Sequence, residues 1–216
     1  MTKKIIILGA GQMGIIVSNI IKRSKKFEII GFIDNDKRKK SKRVNKLPIL
    51  GNDTKLIKYS NKKINLVITI GDINKRIFLF KKFKRLGFIF PKIVDTSCNI
   101  EKNVRIGKGT IIANSSVVLN NVKIGKFCII GSGVKILHHV KISDNVIIGG
   151  GTTVGSNVSL GKNIFVGVGS VFASKKLTVG DSCYVCSGSV ILKSIQKNQK
   201  VIGNPAVSIP FKKNEN

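Results

Sequence analysis

At 216 residues with 42% hydrophobic content, the chain is long enough for one or two domains with real cores. No stretch approaches the roughly 18 apolar residues of a membrane span, and the apolar run behind Lys3-Lys4 is too short for a secretory signal, so a cytoplasmic protein without stable membrane insertion is expected. The formal net charge is +29, yet the lysines are spread along the whole chain and base-stacking aromatics are absent, with two Tyr and no Trp, so a nucleic-acid partner is not expected.

In chain order, Ile5-Ile6-Ile7-Leu8 reads as a buried strand and Gly9-Ala10-Gly11-Gln12-Met13-Gly14 as a tight turn. A helix is expected over 15–23, then a strand over 28–33 that ends at Asp34, 20 residues after Gly14. A third strand over 65–70 ends at Gly71-Asp72, Arg76 opens a helix to about residue 86, and a short strand covers 88–94. Strand, glycine turn, helix, strand and a delayed acid form the dinucleotide-binding fingerprint, which aims backbone amides and a helix N-terminus at a pyrophosphate. Residues 1–95 are thus an α/β domain of Rossmann type, but only half of one. A second mononucleotide-binding half is missing, which opposes an NAD-dependent oxidoreductase. Two basic runs interrupt the domain: Lys37-Arg38-Lys39-Lys40 with Lys42 and Arg43, and Lys81-Lys82 with Lys84 and Arg85.

From Ile100 to Phe172 an aliphatic residue or Phe stands at every sixth position. The residue after it is often small, as at Gly107, Gly125, Gly131, Gly149 and Gly167, and the fourth after it is small or β-branched, as at Thr110, Ser116, Cys128 and Thr152. A helix repeats near 3.6 and a strand at 2, so this period demands a stacked coil with flat faces. The apolar residue points inward, and the small one beside it is read as letting the chain turn. The count slips by one near 174–178 and resumes at Val179, Val185 and Ile191. The coil domain spans 96–209, with a tail over 210–216. Cys98, Cys128, Cys183 and Cys186 make no disulfide framework, and Cys183-x-x-Cys186 is a single pair where a zinc site wants a second pair or a nearby His. The chain's two histidines, His138 and His139, follow the inward Ile136 and should project outward, where a near-neutral imidazole can take a proton.

The six-residue pattern resembles the hexapeptide repeat of left-handed parallel β-helix acyltransferases. A half-Rossmann domain joined to it is similar to the bacterial sugar acetyltransferases that include UDP-amino-sugar N-acetyltransferases and sialic acid O-acetyltransferases. The resemblance spans essentially the whole chain. It implies an acetyl-CoA-dependent transferase of surface-glycan biosynthesis, a homotrimer, and a nucleotide-sugar acceptor on the small domain. Acceptor contacts then fall on Gly9, Ala10, Gly11, Met13, Gly14, Asp34, Asn35, Gly71 and Arg76. The segment from Gly133 to Ser143 carries the family's catalytic histidine at His138, with His139 beside it. Acetyl-CoA contacts fall on Ile147, Ser156, Gly167, Val168 and Ser187, and no metal is implied. Ile202-Gly203-Asn204-Pro205-Ala206 resembles the family's closing Gly-x-Pro-Ala. Three residues depart from the pattern: Met13 and Ile147 stand where members have His, and His139 stands where they have Asp or Glu, with Asp144 as a substitute acid. The departures at His139 and Ile147 keep a non-catalytic sugar-nucleotide-binding scaffold open as the alternative, and Met13 bears on the UDP-sugar acceptor.

Overall fold

The computed structural model describes residues 2–36, 38, 43–60, 63–174 and 176–211. The first basic run at 37, 39, 40 and 42, and the tail over 212–216, lie outside the described residues. The chain separates into two units, Met1–Thr96 and Ser97–Asn216.

The first unit runs β1 (Lys3–Leu8), α1 (Gln12–Ser24), β2 (Phe27–Ile33), β3 (Arg43–Val44), β4 (Leu47–Pro48), a 3-10 turn (Asp53–Tyr59), β5 (Asn65–Ile68), α2 (Ile73–Arg85) and β6 (Ile93–Val94). A parallel sheet has the order β2-β1-β5. Central β1 is an unbroken aliphatic run because both its faces are covered, and Ile5, Ile6 and Ile7 are fully buried. Helix α1 starts at Gln12, ahead of the expected residue 15, because Gly11 already takes the extended N-cap conformation. Met13 and Gly14 therefore belong to the helix and not to the turn. β5 stops at Ile68 and α2 starts at Ile73, where the Asp72 carboxylate caps the helix by accepting from Lys75 N at 2.8 Å. Over 88–94 only Ile93–Val94 is a strand, with an isolated bridge at Ile89; Pro91 has no N–H to give to a ladder. The second basic run closes α2, where cations favour the negative helix end, and Lys82 Nζ also pairs with Asp53 at 2.8 Å.

The second unit is a parallel β-helix of two-residue strands. Before the slip each strand pairs with the one 18 residues on, as Val117 with Lys135 and Lys135 with Thr153, so three hexapeptides make one turn. The sixth-position residues fill the interior, with Ile112, Val118, Ile130, Ile136 and Val154 fully buried. Burial of such a side chain contributes about 1.5–3 kcal/mol, repeated at every face. The small polar residues also point inward and are satisfied: the Thr110 hydroxyl donates to Gly125 O at 2.8 Å and Ser116 to Gly131 O at 3.0 Å. Cys128 and Cys183 occupy this inward position, and burial pushes the Cys183 thiol above its usual pKa. The slip is real: Ser159 pairs with Thr178, one residue beyond the step that pairs Lys141 with Ser159. The chain closes with an antiparallel hairpin, Lys200–Gly203 against Ala206–Ile209, across Asn204-Pro205.

One expectation is corrected. The small residue after each inward aliphatic does not turn the chain. A Cβ at Gly131 would lie 2.6 Å from Gly150 N and 2.9 Å from Ile148 O, so this position is small because the next coil's backbone stacks against it. The turn is made two residues later, where Asn121, Phe127, Gly133, His139, Asn145 and Asn157 all hold φ between 55° and 66°. Asn and Gly tolerate this left-handed region best. Gly131→Ala is therefore expected to destabilise the coil by about 1–3 kcal/mol, while Gly133→Asn stays within about 0.5 kcal/mol of the parent. Denaturant unfolding of the two variants checks the contrast.

Candidate functional site

In the first unit the C-terminal ends of β1, β2 and β5 enclose a cavity of about 340 Å³, lined by residues including Gly9, Asp34, Asn35, Asp36, Ile70 and Lys75. A neighbouring cavity of about 660 Å³ shares Asp34, Asn35 and Asp36 and extends to Asn52, Asp53 and Lys55. Open parallel sheets bind ligands at this edge. Gly9 holds φ +111°, and a Cβ there would meet Thr69 Oγ1 at 2.7 Å. A Cβ on Gly14 would lie 2.1 Å from Gly9 O, so this glycine lets α1 pack against the turn. Gly11 and Gly71 have nothing within 4 Å of the Cβ position; their backbones face open space. No side chain caps α1 and no acid lies in its first turn, so its amides present the positive helix end to that space.

The acid behind the glycines does more local work than its spacing suggests. Asp34 Oδ2 accepts from Ala10 N at 2.8 Å and Oδ1 from Asp36 N at 2.9 Å, which ties the turn to the end of β2. Asn35 Oδ1 accepts from Asp53 N at 2.8 Å. Arg76 is buried, lines neither cavity, and donates through Nη1 to Ile68 O and Ile70 O, holding the chain that leaves β5. Met13 is half-buried in the first turn of α1. Lys75 was missed: among the described residues it is the one cation lining the smaller cavity, and the capping pattern Asp72-x-x-Lys75 behind a strand end was its signal.

In the coil, His138 and His139 lie at the corner between the strands Lys135–Ile136 and Lys141–Ile142, and both are exposed. His139 is at the left-handed position, with φ +61°, where neighbouring coils place Asn121 and Asn157. That backbone turns its ring edge-on to His138, with centroids 5.2 Å apart and Nδ1 to Nδ1 at 3.0 Å. His138 Nε2 lies 2.9 Å from Ser156 Oγ, one coil onward, and His139 Nε2 lies 3.2 Å from Asn121 Nδ2, one coil back. Asp144 contacts neither ring; its Oδ1 accepts from Lys126 N at 2.7 Å. His139 itself takes the place beside His138 where a carboxylate was sought. The signal for Asn121 and Ser156 was the 18-residue turn, which stacks them on the two histidines.

The five residues expected at the coenzyme do not gather at one point. Ser156 is buried beside His138. Gly167, Val168 and Ser187 meet at a different corner, where a Cβ on Gly167 would lie 2.4 Å from Ser187 N. Val168 there is 58% exposed, and Gly169 and Gly188 have open space at their Cβ positions. Ile147 is buried on a coil face, between Ile129 and Phe165 on the adjoining strands. Small, open residues around an exposed apolar one suit a thin, flexible, partly apolar chain.

A family model described as the PglD N-terminal domain matches residues 4–83, and the bacterial transferase hexapeptide model, six repeats, matches 103–138 and 121–156. No curated protein matches the sequence. Among solved structures, the acetyltransferase domain of PglB from Neisseria gonorrhoeae is similar at a TM-score of 0.88 and 22% identity, over 96% of this chain and 100% of that one. PerB from Caulobacter crescentus, in complex with CoA and GDP-perosamine, gives 0.90 and 23% over 97% and 99%. WeeI from Acinetobacter baumannii gives 0.78 and 22% over 96% and 100%. The likeness is one of fold, and it runs the length of the chain. This chain thus joins a PglD-type N-terminal domain to the hexapeptide repeat of bacterial transferases, the two-part build of the sugar acetyltransferases it resembles.

Proposed function

We propose that the protein is an acetyl-CoA-dependent acetyltransferase acting on an amine or hydroxyl of a nucleotide-linked sugar, in surface-glycan biosynthesis. The observation that carries this reading is the His138 ring, exposed at a coil corner with Nδ1 held by His139 and Nε2 aimed at Ser156 Oγ. PerB, similar in fold, is described with CoA and GDP-perosamine, and the PglB domain with acetyl coenzyme A.

In this reading the acceptor nitrogen or oxygen attacks the thioester carbonyl carbon. His138 Nε2 takes the proton the acceptor loses, and the CoA thiolate leaves. His139 is the positioning partner that a carboxylate supplies elsewhere. Coil backbone amides steady the oxyanion. The Ser156 hydroxyl marks where the acceptor's N–H or O–H reaches His138. Gly167, Val168 and Ser187 receive the pantetheine arm, with Ile147 on the adjoining face. The first unit holds the nucleotide: the amides beside Gly11 and the N-terminus of α1 meet the diphosphate, and Asp34, Asn35 and Lys75 line the base and ribose side. Both co-substrates are soluble cytoplasmic anions, and a net charge of +29 raises their concentration near the surface. Exposed Val168, Val171 and Leu192 on the coil support burial against further copies, and the reading includes a homotrimer with the coenzyme between neighbouring coils.

Three outcomes are expected. His138→Ala lowers kcat by about 10²–10⁴, with coenzyme affinity unchanged, in a thiol-release assay. Gly11→Ala folds normally but loses affinity for UDP- and GDP-sugars in calorimetry, whereas Gly14→Ala lowers the melting temperature of the first unit because its Cβ strikes Gly9 O. Light scattering at micromolar concentration gives the mass of a trimer, and a stable monomer contradicts the shared site.

A further inference from the structure

Four side chains at the coil corner form one unbranched hydrogen-bond chain. Asn121 Nδ2 meets His139 Nε2 at 3.2 Å, the two Nδ1 atoms meet at 3.0 Å, and His138 Nε2 meets Ser156 Oγ at 2.9 Å. A contact between two Nδ1 atoms needs one proton between them, so the tautomer of one ring dictates that of the other. The chain therefore has two directions. With Asn121 Nδ2 donating, His139 Nε2 accepts, His139 Nδ1 donates to His138 Nδ1, and the proton of neutral His138 sits on Nε2. In that state His138 has no lone pair for a substrate proton. With the amide turned so that Oδ1 faces His139, every link reverses. His139 then carries its proton on Nε2 and His138 on Nδ1, and His138 Nε2 has its lone pair.

We propose that Asn121 is a positioning residue whose amide orientation, acting through His139, sets which ring nitrogen of His138 carries the proton. This rests on the reading of His138 as the general base. The backbone fixes the relay: Asn121 and His139 occupy the same left-handed position in successive turns, at φ 60° and 61°, and His139 N donates to Asn120 O at 3.1 Å. The ionisable groups on the adjoining strands are the exposed lysines Lys123, Lys135 and Lys141, and no carboxylate among the described residues bonds to either ring. Both ends of the relay can donate or accept, but the Ser156 hydroxyl hydrogen rotates to suit either direction, whereas the Asn121 amide must turn to exchange Nδ2 for Oδ1. When His138 Nε2 takes the acceptor's proton, the relay holds three: one on His138 Nε2, one shared between the Nδ1 atoms, and one donated from His139 Nε2 to Asn121 Oδ1. The positive charge spreads over both rings without a buried acid.

The test uses ¹⁵N-histidine labelling of the full chain, in which two histidines give a readable set of ring nitrogens. Asn121→Asp can only accept, so His138 Nε2 is expected in the unprotonated class, with kcat kept or raised and the acetyl-CoA KM unchanged. Asn121→Gly keeps the left-handed corner and removes the amide. Its ring-nitrogen spectrum should show both tautomers, and kcat should fall at least about tenfold at unchanged KM. Spectra identical to the parent in both variants, or a His138 Nε2 that stays protonated in Asn121→Asp, overturn the proposal. The spectra do not depend on turnover: a parent protein that transfers no acetyl group defeats the acetyltransferase reading alone, while the nitrogen signals still decide the role of Asn121.

Discussion

The left-handed corner is the constraint on which the coil depends. A chain that returns on itself every 18 residues needs one residue per corner at positive φ, and everything else in the hexapeptide is placed relative to that residue. The aliphatic residue three places earlier falls inside. The small one two places earlier falls under the next coil's backbone. At one corner His stands where Asn or Gly is cheaper. That placement sets its Nδ1 against His138 and its Nε2 against Asn121. The catalytic geometry proposed for this protein is thus a by-product of how the coil turns, with the pair held by backbone stacking and not by a deep pocket.

The first unit solves a different problem with related means. Its glycines divide by what surrounds them. Gly9 is required by its positive φ and the closeness of Thr69, Gly14 by the packing of α1 on the turn, and Gly11 and Gly71 leave backbone bare to open space. Asp34 is spent partly on the turn itself through Ala10 N, so the loop is pre-organised before any ligand arrives. In the proposed reading a phosphate-bearing ligand meets amides already aimed, and the ordering cost falls on folding.

Much of this was legible in the sequence because period is a strong physical signal. Six-residue spacing excluded helix and simple strand, and the half-Rossmann order of elements followed from glycines, aliphatic runs and Asp34. What the sequence does not show is which neighbour a group meets once the chain is folded. Spacing alone makes the glycine after each inward residue read as a turn residue, since its true neighbour, the backbone of the next coil, lies about one turn away. Arg76 was expected at the acceptor, but its buried guanidinium satisfies carbonyls leaving β5. Ser156, expected at the coenzyme, lies beside His138 because of the 18-residue stack. Asn121 drew no notice, although the same stack places it on His139.

The central claim is that the coil corner transfers an acetyl group to a sugar held through its nucleotide. Thiol release from acetyl-CoA, measured against a panel of UDP- and GDP-linked amino sugars and free sialic acids, tests it most directly. The account predicts CoA release that saturates with at least one nucleotide-linked amino sugar and requires its nucleotide. Absence of release with every sugar, together with absence of acetyl-CoA binding, would contradict it and leave a sugar-nucleotide-binding scaffold built on the same fold.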